Sequence, residues 1–123
     1  MKQSTYDLAG HALDWAVAKC EGHDAELNYD EVVSFKLVMG NEYRLVWKPS
    51  THWVQGGAII ERECISIEYK TGTGVWVATR IEGSSVSEEY GRTPLVAAMR
   101  CYVASKLGNE VEIPAELTQG ETQ

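Results

Sequence analysis

The sequence predicts an α+β fold in which two β-hairpins form one antiparallel sheet, packed with an N-terminal and a C-terminal helix. Two observations predict this class. Amphipathic helical patterns lie towards the two ends of the chain, and two pairs of strand-like runs lie between them. The length of 123 residues is near the commonest domain size, so we expect one domain over residues 1–117 and a polar, disordered tail over residues 118–123.

The first helix is predicted to begin at Ser4, because the segment 4–7 has the capping-box spacing of a hydroxyl and an acid three residues later. Apolar residues then recur at three- and four-residue steps over residues 8–20, and Gly22 is the predicted residue that closes the helix. Gly10 costs about 1 kcal/mol relative to alanine inside a helix, so it marks either a close helix-to-sheet contact or a frayed first turn. The acidic segment 23–30 is predicted to be a loop.

Two β-hairpins are predicted in the middle of the chain. The runs 32–38 and 43–48 are rich in β-branched and aromatic residues and flank a Gly-Asn pair, and the second run is expected to have one buried and one wet face. The runs 65–70 and 75–81 form the clearest hairpin, because their alternation is regular and the turn 71–74 contains two glycines. These four strands are expected to supply the single sheet.

A short helix is predicted between the hairpins, over residues 57–63, because this segment lacks the period-two alternation of a strand. Its two adjacent isoleucines, Ile59 and Ile60, leave an extended strand open as the alternative. After the second hairpin, the segment 84–91 is predicted to be a polar connection between the last strand and the last helix.

The last helix is predicted to begin at Thr93 and Pro94, because threonine is a favoured N-cap and proline is tolerated at the first helical position. Gly108 is the predicted end of this helix, and the segment 111–114 is expected to be extended along the domain surface. The predicted core joins both helices to the second hairpin. It consists of Leu13, Val17, Ile65, Ile67, Trp76, Leu95, Met99 and Val103.

The charge and hydropathy of the chain exclude several classes of protein. Eleven basic and eighteen acidic side chains give a net charge of −7, which repels phosphate backbones and predicts no nonspecific nucleic-acid binding, although an acidic surface suits a basic partner. The apolar runs are far shorter than the ~20 residues that a bilayer requires, and the N-terminus lacks the features of a signal peptide. We therefore expect no membrane association and a cytoplasmic location.

The stretch 47–63 concentrates two tryptophans, two hydroxyls, an imidazole, an amide and two adjacent glycines between strands. Such a composition is typical of a ligand pocket, but it is also typical of a capped loop packed on its own core, and both interpretations stay open. If this domain has a ligand or partner site, we expect the loop 49–57 and the following helix to form it. The candidate residues are Ser50, Thr51, His52, Trp53, Gln55, Gly56, Gly57 and Arg62.

Three segments, Ala12–Gly22, Pro49–Glu63 and Gly91–Gly108, together resemble the NinX-like family of small proteins from tailed phages and prophages, whose activity is unassigned. The first and last also resemble the ends of the related phage α-β-α sandwich domains. The resemblance implies a phage or prophage origin and action in the cytoplasm of the bacterial host, and it supplies no reaction.

The central segment departs from the family pattern at three positions. Aspartate is usual where this chain has His52, proline where it has Ala58, and glycine where it has Cys64. A proline followed six residues later by a glycine suits a short helix between them, which supports the helical prediction for residues 57–63. The histidine at position 52 does not supply the acid chemistry that a carboxylate would.

The polar residues do not assemble a complete reactive constellation in the sequence. Cys20 and His23 have the spacing of a metal half-site, but no second pair is present, so neither a metal nor another cofactor is expected. Ser50 and Thr51 are too close in sequence to His52 for a nucleophile–base arrangement, and we predict no enzymatic activity. The three cysteines, Cys20, Cys64 and Cys101, are predicted to be reduced core thiols.

Two functions remain for this chain, and the oligomeric state stays open. The first is a nonenzymatic phage accessory protein that binds a host macromolecule through its acidic surface or central loop. The second is a protein that binds or sequesters a small, nucleotide-like ligand in the loop 49–57.

Overall fold

A computed structural model of the chain describes residues 1–28 and 31–117, and its mixture of helices and antiparallel sheets confirms the predicted α+β class. The α-helices are α1 Gly10–Cys20, α2 Trp53–Glu63 and α3 Pro94–Leu107, and one turn of 3-10 helix spans Thr5–Asp7. The strands are β1 Lys2–Ser4, β2 Asp24–Asn28, β3 Glu31–Val38, β4 Asn41–Val46, β5 Ser66–Lys70, β6 Val75–Glu82, β7 Ser85–Gly91 and β8 Glu110–Glu112. The tail 118–123, predicted to be disordered, lies outside the described residues.

The strands form three separate antiparallel sheets, so the prediction of one sheet made of two hairpins is wrong. Each predicted hairpin gains a third strand, which gives the orders β2-β3-β4 and β5-β6-β7, and β1 pairs with β8 near the chain ends. Strand β2 lies in the predicted acidic loop, where exposed Asp24 and Glu26 alternate with half-buried Ala25 and Leu27. Helix α2 separates the two larger sheets in the chain, between β4 and β5.

Strand β7 occupies the segment predicted to be a polar connection, and its side-chain pattern explains the error. Val86 and Tyr90 are exposed, whereas the positions turned towards α3 are occupied by Ser87, Glu89 and Gly91. This inverts the usual order of apolar residues inside and polar residues outside. The small inward residues allow α3 to lie close to the strand.

The core lies between the helices and the sheets. Helix α1 packs on β2 and β3, and α3 packs on β5, β6 and β7 as well as on α1. Six of the eight predicted core side chains are buried: Leu13, Val17, Ile65, Leu95, Met99 and Val103. The other two, Ile67 and Trp76, are half-buried against this cluster.

The predicted helix start at Ser4 gives one turn of 3-10 helix, Thr5–Asp7, and α1 begins separately at Gly10. The Ser4 side chain makes no capping hydrogen bond, so the predicted capping box does not form. Ser4 instead ends β1 and pairs with Glu110 of β8. The next residue, Thr5, is buried, and its hydroxyl donates to the carbonyl oxygen of Gly108 at 2.6 Å. A nonlocal contact with the end of α3 therefore holds the segment that local spacing predicted to be helical.

The first hairpin is confirmed, but β4 does not have the predicted buried face. Met39 and Gly40 form the turn with φ values of 52° and 82°, the backbone that a two-residue type I′ turn requires. All six residues of β4 are exposed, and burial begins only at Trp47, which follows the strand. No described helix covers β4, which leaves its side chains on the surface.

Helix α2 confirms the predicted central helix and excludes the extended alternative for Ile59 and Ile60. It begins at Trp53, four residues before Gly57, so the second half of the predicted loop 49–57 is helical. The helix ends at Cys64, which has a left-handed backbone with φ of 55°. Glycine adopts this backbone without strain, and the resemblance described above implies a glycine at this position.

The last helix and the segment after it agree with the predictions. Thr93 caps α3, since its Oγ1 accepts a hydrogen bond from the Val96 amide at 3.1 Å, and Pro94 occupies the first turn. The helix ends at Gly108, and the following extended segment forms β8. Among the described residues, no helix is long and apolar enough to cross a membrane.

Candidate functional site

The side chain of Gln55, predicted to face a ligand, is used to join β4 to α2. Its Nε2 donates to the carbonyl oxygen of Val46 at 2.9 Å, and its Oε1 accepts from the amide of Lys48 at 2.8 Å. Trp47 lies between these two residues in the chain, and its amide donates to the carbonyl oxygen of Val32 in β3. Backbone groups alternate in direction along a strand, so the carbonyl group of Val46 and the amide of Lys48 point away from β3. The side-chain amide of Gln55 binds both groups, as a neighbouring strand would.

Ser50 is also part of the scaffold. Its side chain is 2% exposed, and its backbone amide donates to Oδ1 of Asp14 at 2.9 Å. Asp14 is itself buried within α1, so the contact attaches the turn before α2 to the first helix. A buried hydroxyl at this position does not face solvent, where a ligand would approach.

The adjacent candidate glycines, Gly56 and Gly57, both lie inside α2. The amide of Gly56 donates to the carbonyl oxygen of His52 at 2.9 Å. A Cβ atom at Gly56 would lie 2.3 Å from the carbonyl oxygen of Pro49 and 2.6 Å from a methyl carbon of Leu95. Gly56 therefore permits a close approach between α2, the preceding turn and α3, while Gly57 has no such contact under 3.4 Å.

Arg62, the last of the candidate residues, is paired with carboxylates of this chain. Its Nη1 donates to Glu21 at 2.9 Å, and its Nε donates to Glu63 at 2.8 Å. Glu63 also accepts from Arg80 of β6 at 2.8 Å, and Glu21 accepts from the hydroxyl of Tyr102 in α3. These five residues connect the end of α1 with α2, β6 and α3.

Within this network the carboxyl group of Glu21 is kept ionised and the hydroxyl group of Tyr102 is kept neutral. Burial opposes ionisation of Glu21, but the hydrogen bonds from Arg62 and Tyr102 outweigh burial and lower its pKa. Burial, together with the same hydrogen bond to Glu21, raises the pKa of Tyr102. Glu21 is therefore a stable anion and Tyr102 a neutral donor, which indicates a structural role for the network rather than proton transfer.

The exposed candidate residues are the paired Arg62 and, at the start of α2, Thr51, His52 and Trp53. Trp53 is 55% exposed and its neighbour Val54 is 77% exposed. Exposed apolar side chains also lie on β4, and the hydrogen bond from Gln55 to the Val46 carbonyl oxygen joins the end of β4 to α2. We call these exposed apolar side chains of the two elements the β4–α2 surface: Tyr43, Leu45, Val46, Trp53 and Val54.

Comparison with known proteins identifies the family. The family model described as "Bacteriophage P22, NinX" matches residues 4–106. The chain belongs to the phage NinX family. This confirms the resemblance predicted from the three sequence segments. The comparison with curated proteins found no match.

A solved structure shares the fold of this NinX-family chain. It is a phage protein from Bacillus cereus ATCC 14579, with a TM-score of 0.60 and 16% sequence identity, and the likeness covers 80% of this chain and 92% of that one. At this identity the likeness shows the fold alone. It places the helix and sheet arrangement of the NinX chain among phage proteins.

The thiols of the NinX chain are unbridged, and only one is exposed. Cys64 lies on the surface, which corrects the prediction that all three are core thiols. Burial raises the pKa values of Cys20 and Cys101 to about 12, which makes both poor nucleophiles at neutral pH. Within residues 1–28 and 31–117, no three His, Cys, Asp or Glu side chains are grouped to hold a metal ion.

Proposed function

We propose that this NinX-family chain is a nonenzymatic phage accessory protein that acts in the cytoplasm of the bacterial host and binds a host protein through the β4–α2 surface. The observation that carries the proposal is the exposure of large apolar side chains both on β4 and at the start of α2, two elements that Gln55 joins. Trp53 and Tyr43 are each 55% exposed, and Leu45 is 52% exposed. Large exposed apolar side chains mark interaction sites, and tryptophan and tyrosine dominate their binding energy.

The shape and charge of the surface favour a protein over other partners. It is built from a strand and a helix start, and two cavities, of about 730 and 550 Å³, are lined by other elements. A net charge of −7 disfavours a nucleic acid as the partner. A protein offering its own apolar groove fits the side chains of Trp53 and Leu45.

The polar residues beside this surface support a binding role without catalysis. The side chain of His52 makes no hydrogen bond or ion pair within the described residues. Nothing therefore orients its imidazole as a base, and Thr51 directs its hydroxyl to the Lys48 carbonyl oxygen at 3.5 Å. The alternative is a small nucleotide-like ligand in the loop 49–57. It is less well supported, because the side chain of Gln55 and the amide of Gly56 already form hydrogen bonds within the chain.

The proposal is tested by capturing proteins from a lysate of the host with tagged wild-type chain and two single variants. Trp53→Ala removes the centre of the β4–α2 surface. Ile81→Ala is the matched control, because Ile81 is 70% exposed on β6, outside that surface. We expect one stoichiometric protein to be retained by wild type and by Ile81→Ala and to be lost with Trp53→Ala.

Two results would overturn the proposal. The first is retention of the same protein by Trp53→Ala at wild-type levels. The second is self-association of the wild-type chain in size-exclusion chromatography that Trp53→Ala abolishes, since the surface would then be occupied by a second copy of this chain.

A further inference from the structure

A cleft of about 550 Å³ lies between the end of β7, the first half of α3 and the turn before α1. Its volume falls in the range of small-molecule sites, ≈ 300–1,000 Å³. None of the residues predicted from the sequence as candidates lines it. We call it the Arg100 cleft, and the lining residues that matter here are Tyr6, Glu89, Tyr90, Arg92, Val96 and Arg100.

Arg100 is held rigidly in this cleft without a carboxylate partner. Its Nε donates to the carbonyl oxygen of Leu8 at 2.7 Å, and its Nη1 donates to that of Tyr90 at 2.8 Å. No acidic side chain of the described residues lies within ion-pair distance, 4.0 Å. The guanidinium is half-buried, so it is partly desolvated while its Nη2 donors stay unused within the described part of the chain.

Arg92 adds a second positive charge at the same cleft. Its side chain is exposed and makes no ion pair with a described residue. Arg62 and Arg80, by contrast, each contact two carboxylates. Glu89, which lines the cleft, and Asp7 both act electrostatically on Arg100. Neither carboxylate forms an ion pair with Arg100 or Arg92, so both guanidinium groups keep donors for an added anion.

The remaining walls of the cleft are apolar or aromatic. Tyr6 is 64% exposed, Tyr90 is 47% exposed, and Val96 lies on the helix between the two arginines. Aromatic rings around a fixed guanidinium suit a ligand with a flat apolar body and one anionic end, because the body covers the rings while the anion accepts from the arginines.

We propose that the Arg100 cleft binds a small aromatic anion whose carboxylate or phosphate group is held by Arg92 and Arg100. This site is separate from the β4–α2 surface, and the proposed partner binding does not depend on it. It also differs from the loop 49–57, where the sequence predicted a small-ligand site. The positive charge that such a ligand requires lies at the start of α3 instead.

The probes for a test are phenyl phosphate and benzoate, with inorganic phosphate and phenol as the anionic and aromatic halves alone. Amide resonances of the ¹⁵N-labelled full chain are followed during titration to about 10 mM probe, which detects dissociation constants into the millimolar range. We expect saturable shifts at Gly91, Arg92 and Val96 with an aromatic anion. Each half probe is expected to bind about 10-fold more weakly or worse.

Two variants separate a specific site from general attraction of anions. Arg92→Ala removes an exposed side chain without internal hydrogen bonds, and we expect it to weaken binding of the aromatic anion about 10-fold. Arg44→Ala removes an exposed arginine on β4, far along the chain from the cleft, and is expected to leave binding unchanged. Absence of saturable shifts at the cleft with both aromatic anions, or equal weakening in the two variants, would overturn the proposal.

Discussion

Gln55 stabilises the junction between β4 and α2 with two hydrogen bonds to backbone groups that a strand edge would leave to water. The bonds are 2.8 and 2.9 Å long, and they span seven and nine residues of the chain. A net contribution of about 0.5–1.5 kcal/mol for each bond is usual. A single amide side chain therefore ends the first sheet and fixes where the second helix begins.

Replacing Gln55 by alanine is expected to lower the free energy of unfolding by about 1–3 kcal/mol, since both bonds are lost and Val46 and Lys48 lose a partner. Urea unfolding measures this change. Thr51→Ala is the control, because the hydroxyl of Thr51 is exposed and its contact with Lys48 is long at 3.5 Å. Its effect should stay within about 0.5 kcal/mol. Equal stabilities of wild type and Gln55→Ala would show that the junction does not depend on this side chain.

The ion pair of Glu21 predicts a dependence of stability on pH. Hydrogen bonds from Arg62 and Tyr102 hold the pKa of Glu21 below its ordinary value in the folded chain, despite burial. The unfolded chain therefore binds the proton more tightly, and the stabilisation is complete above the ordinary pKa of about 4.3 and is lost as the pH falls through the folded value.

Melting temperatures between pH 7 and pH 3 test this linkage. Wild type should lose more stability over the acidic part of this range than Glu21→Gln, which has no charge to lose at that position. Glu61→Gln, an exposed substitution on α2, should follow the wild-type profile. Parallel profiles for wild type and Glu21→Gln would contradict the role assigned to the Arg62 pair.

Helix α2 contains two adjacent glycines with different surroundings. At Gly56 the backbone of Pro49 and the side chain of Leu95 occupy the space that a methyl group would need, whereas Gly57 has only ordinary contact with Trp53. Helix propensity favours alanine at both positions by about 1 kcal/mol. Packing therefore decides the effect of alanine on stability at Gly56, and helix propensity decides it at Gly57.

Gly56→Ala is expected to destabilise the chain by about 1–3 kcal/mol, the usual cost of overpacking. Gly57→Ala is expected to stabilise it by up to about 1 kcal/mol, because no atom has to move. Thermal unfolding of the two variants side by side gives the comparison. Stabilisation by Gly56→Ala would mean that α2 does not approach the Pro49 turn and α3 as closely as described.

At the scale of elements, the sequence predicts those features whose signals are local. The Thr93-Pro94 start of α3 and the hairpin of β5 and β6 depend on neighbouring residues, and both are confirmed. Strand β7 was missed because α3 packs closely on it: a Cβ atom at Gly91 would lie 2.6 Å from the backbone nitrogen of Ala97. A strand with small and polar residues on its covered face shows no apolar alternation to detect.

At the scale of the whole molecule, the two ends of the described chain are joined. Strand β1 pairs with β8, the amide of Thr5 donates to the carbonyl oxygen of Asn109, and the N-terminal ammonium group pairs with Glu112. These partners are more than 100 residues apart, so no spacing within residues 1–10 predicts them. This pairing explains why the first helix begins later than its capping-box pattern indicates.

Partners that are distant in the chain also explain why the sequence did not predict the arrangement of the candidate site. The sequence shows that Gln55, Ser50 and Arg62 are able to form hydrogen bonds, but it does not show whether their partners lie inside the chain. Val46 and Lys48, which bind Gln55, Asp14, which binds Ser50, and Glu21, which binds Arg62, all lie outside α2. Trp53 keeps its predicted exposed aromatic face because no described element covers the start of α2, and it is therefore the residue on which the proposed function depends.

The most direct measurement of that function combines the stability of Trp53→Ala with its affinity for the captured host protein. An exposed side chain should change the free energy of unfolding by less than about 0.5 kcal/mol, or about 2–3 °C in melting temperature. Removal of a central tryptophan should weaken binding by at least about 2 kcal/mol, roughly 30-fold in dissociation constant. We expect a Trp53→Ala variant that melts like wild type and binds at least about 30-fold more weakly. A variant that binds normally, or whose weaker binding is matched by unfolding of the domain, would contradict the proposed role of the β4–α2 surface.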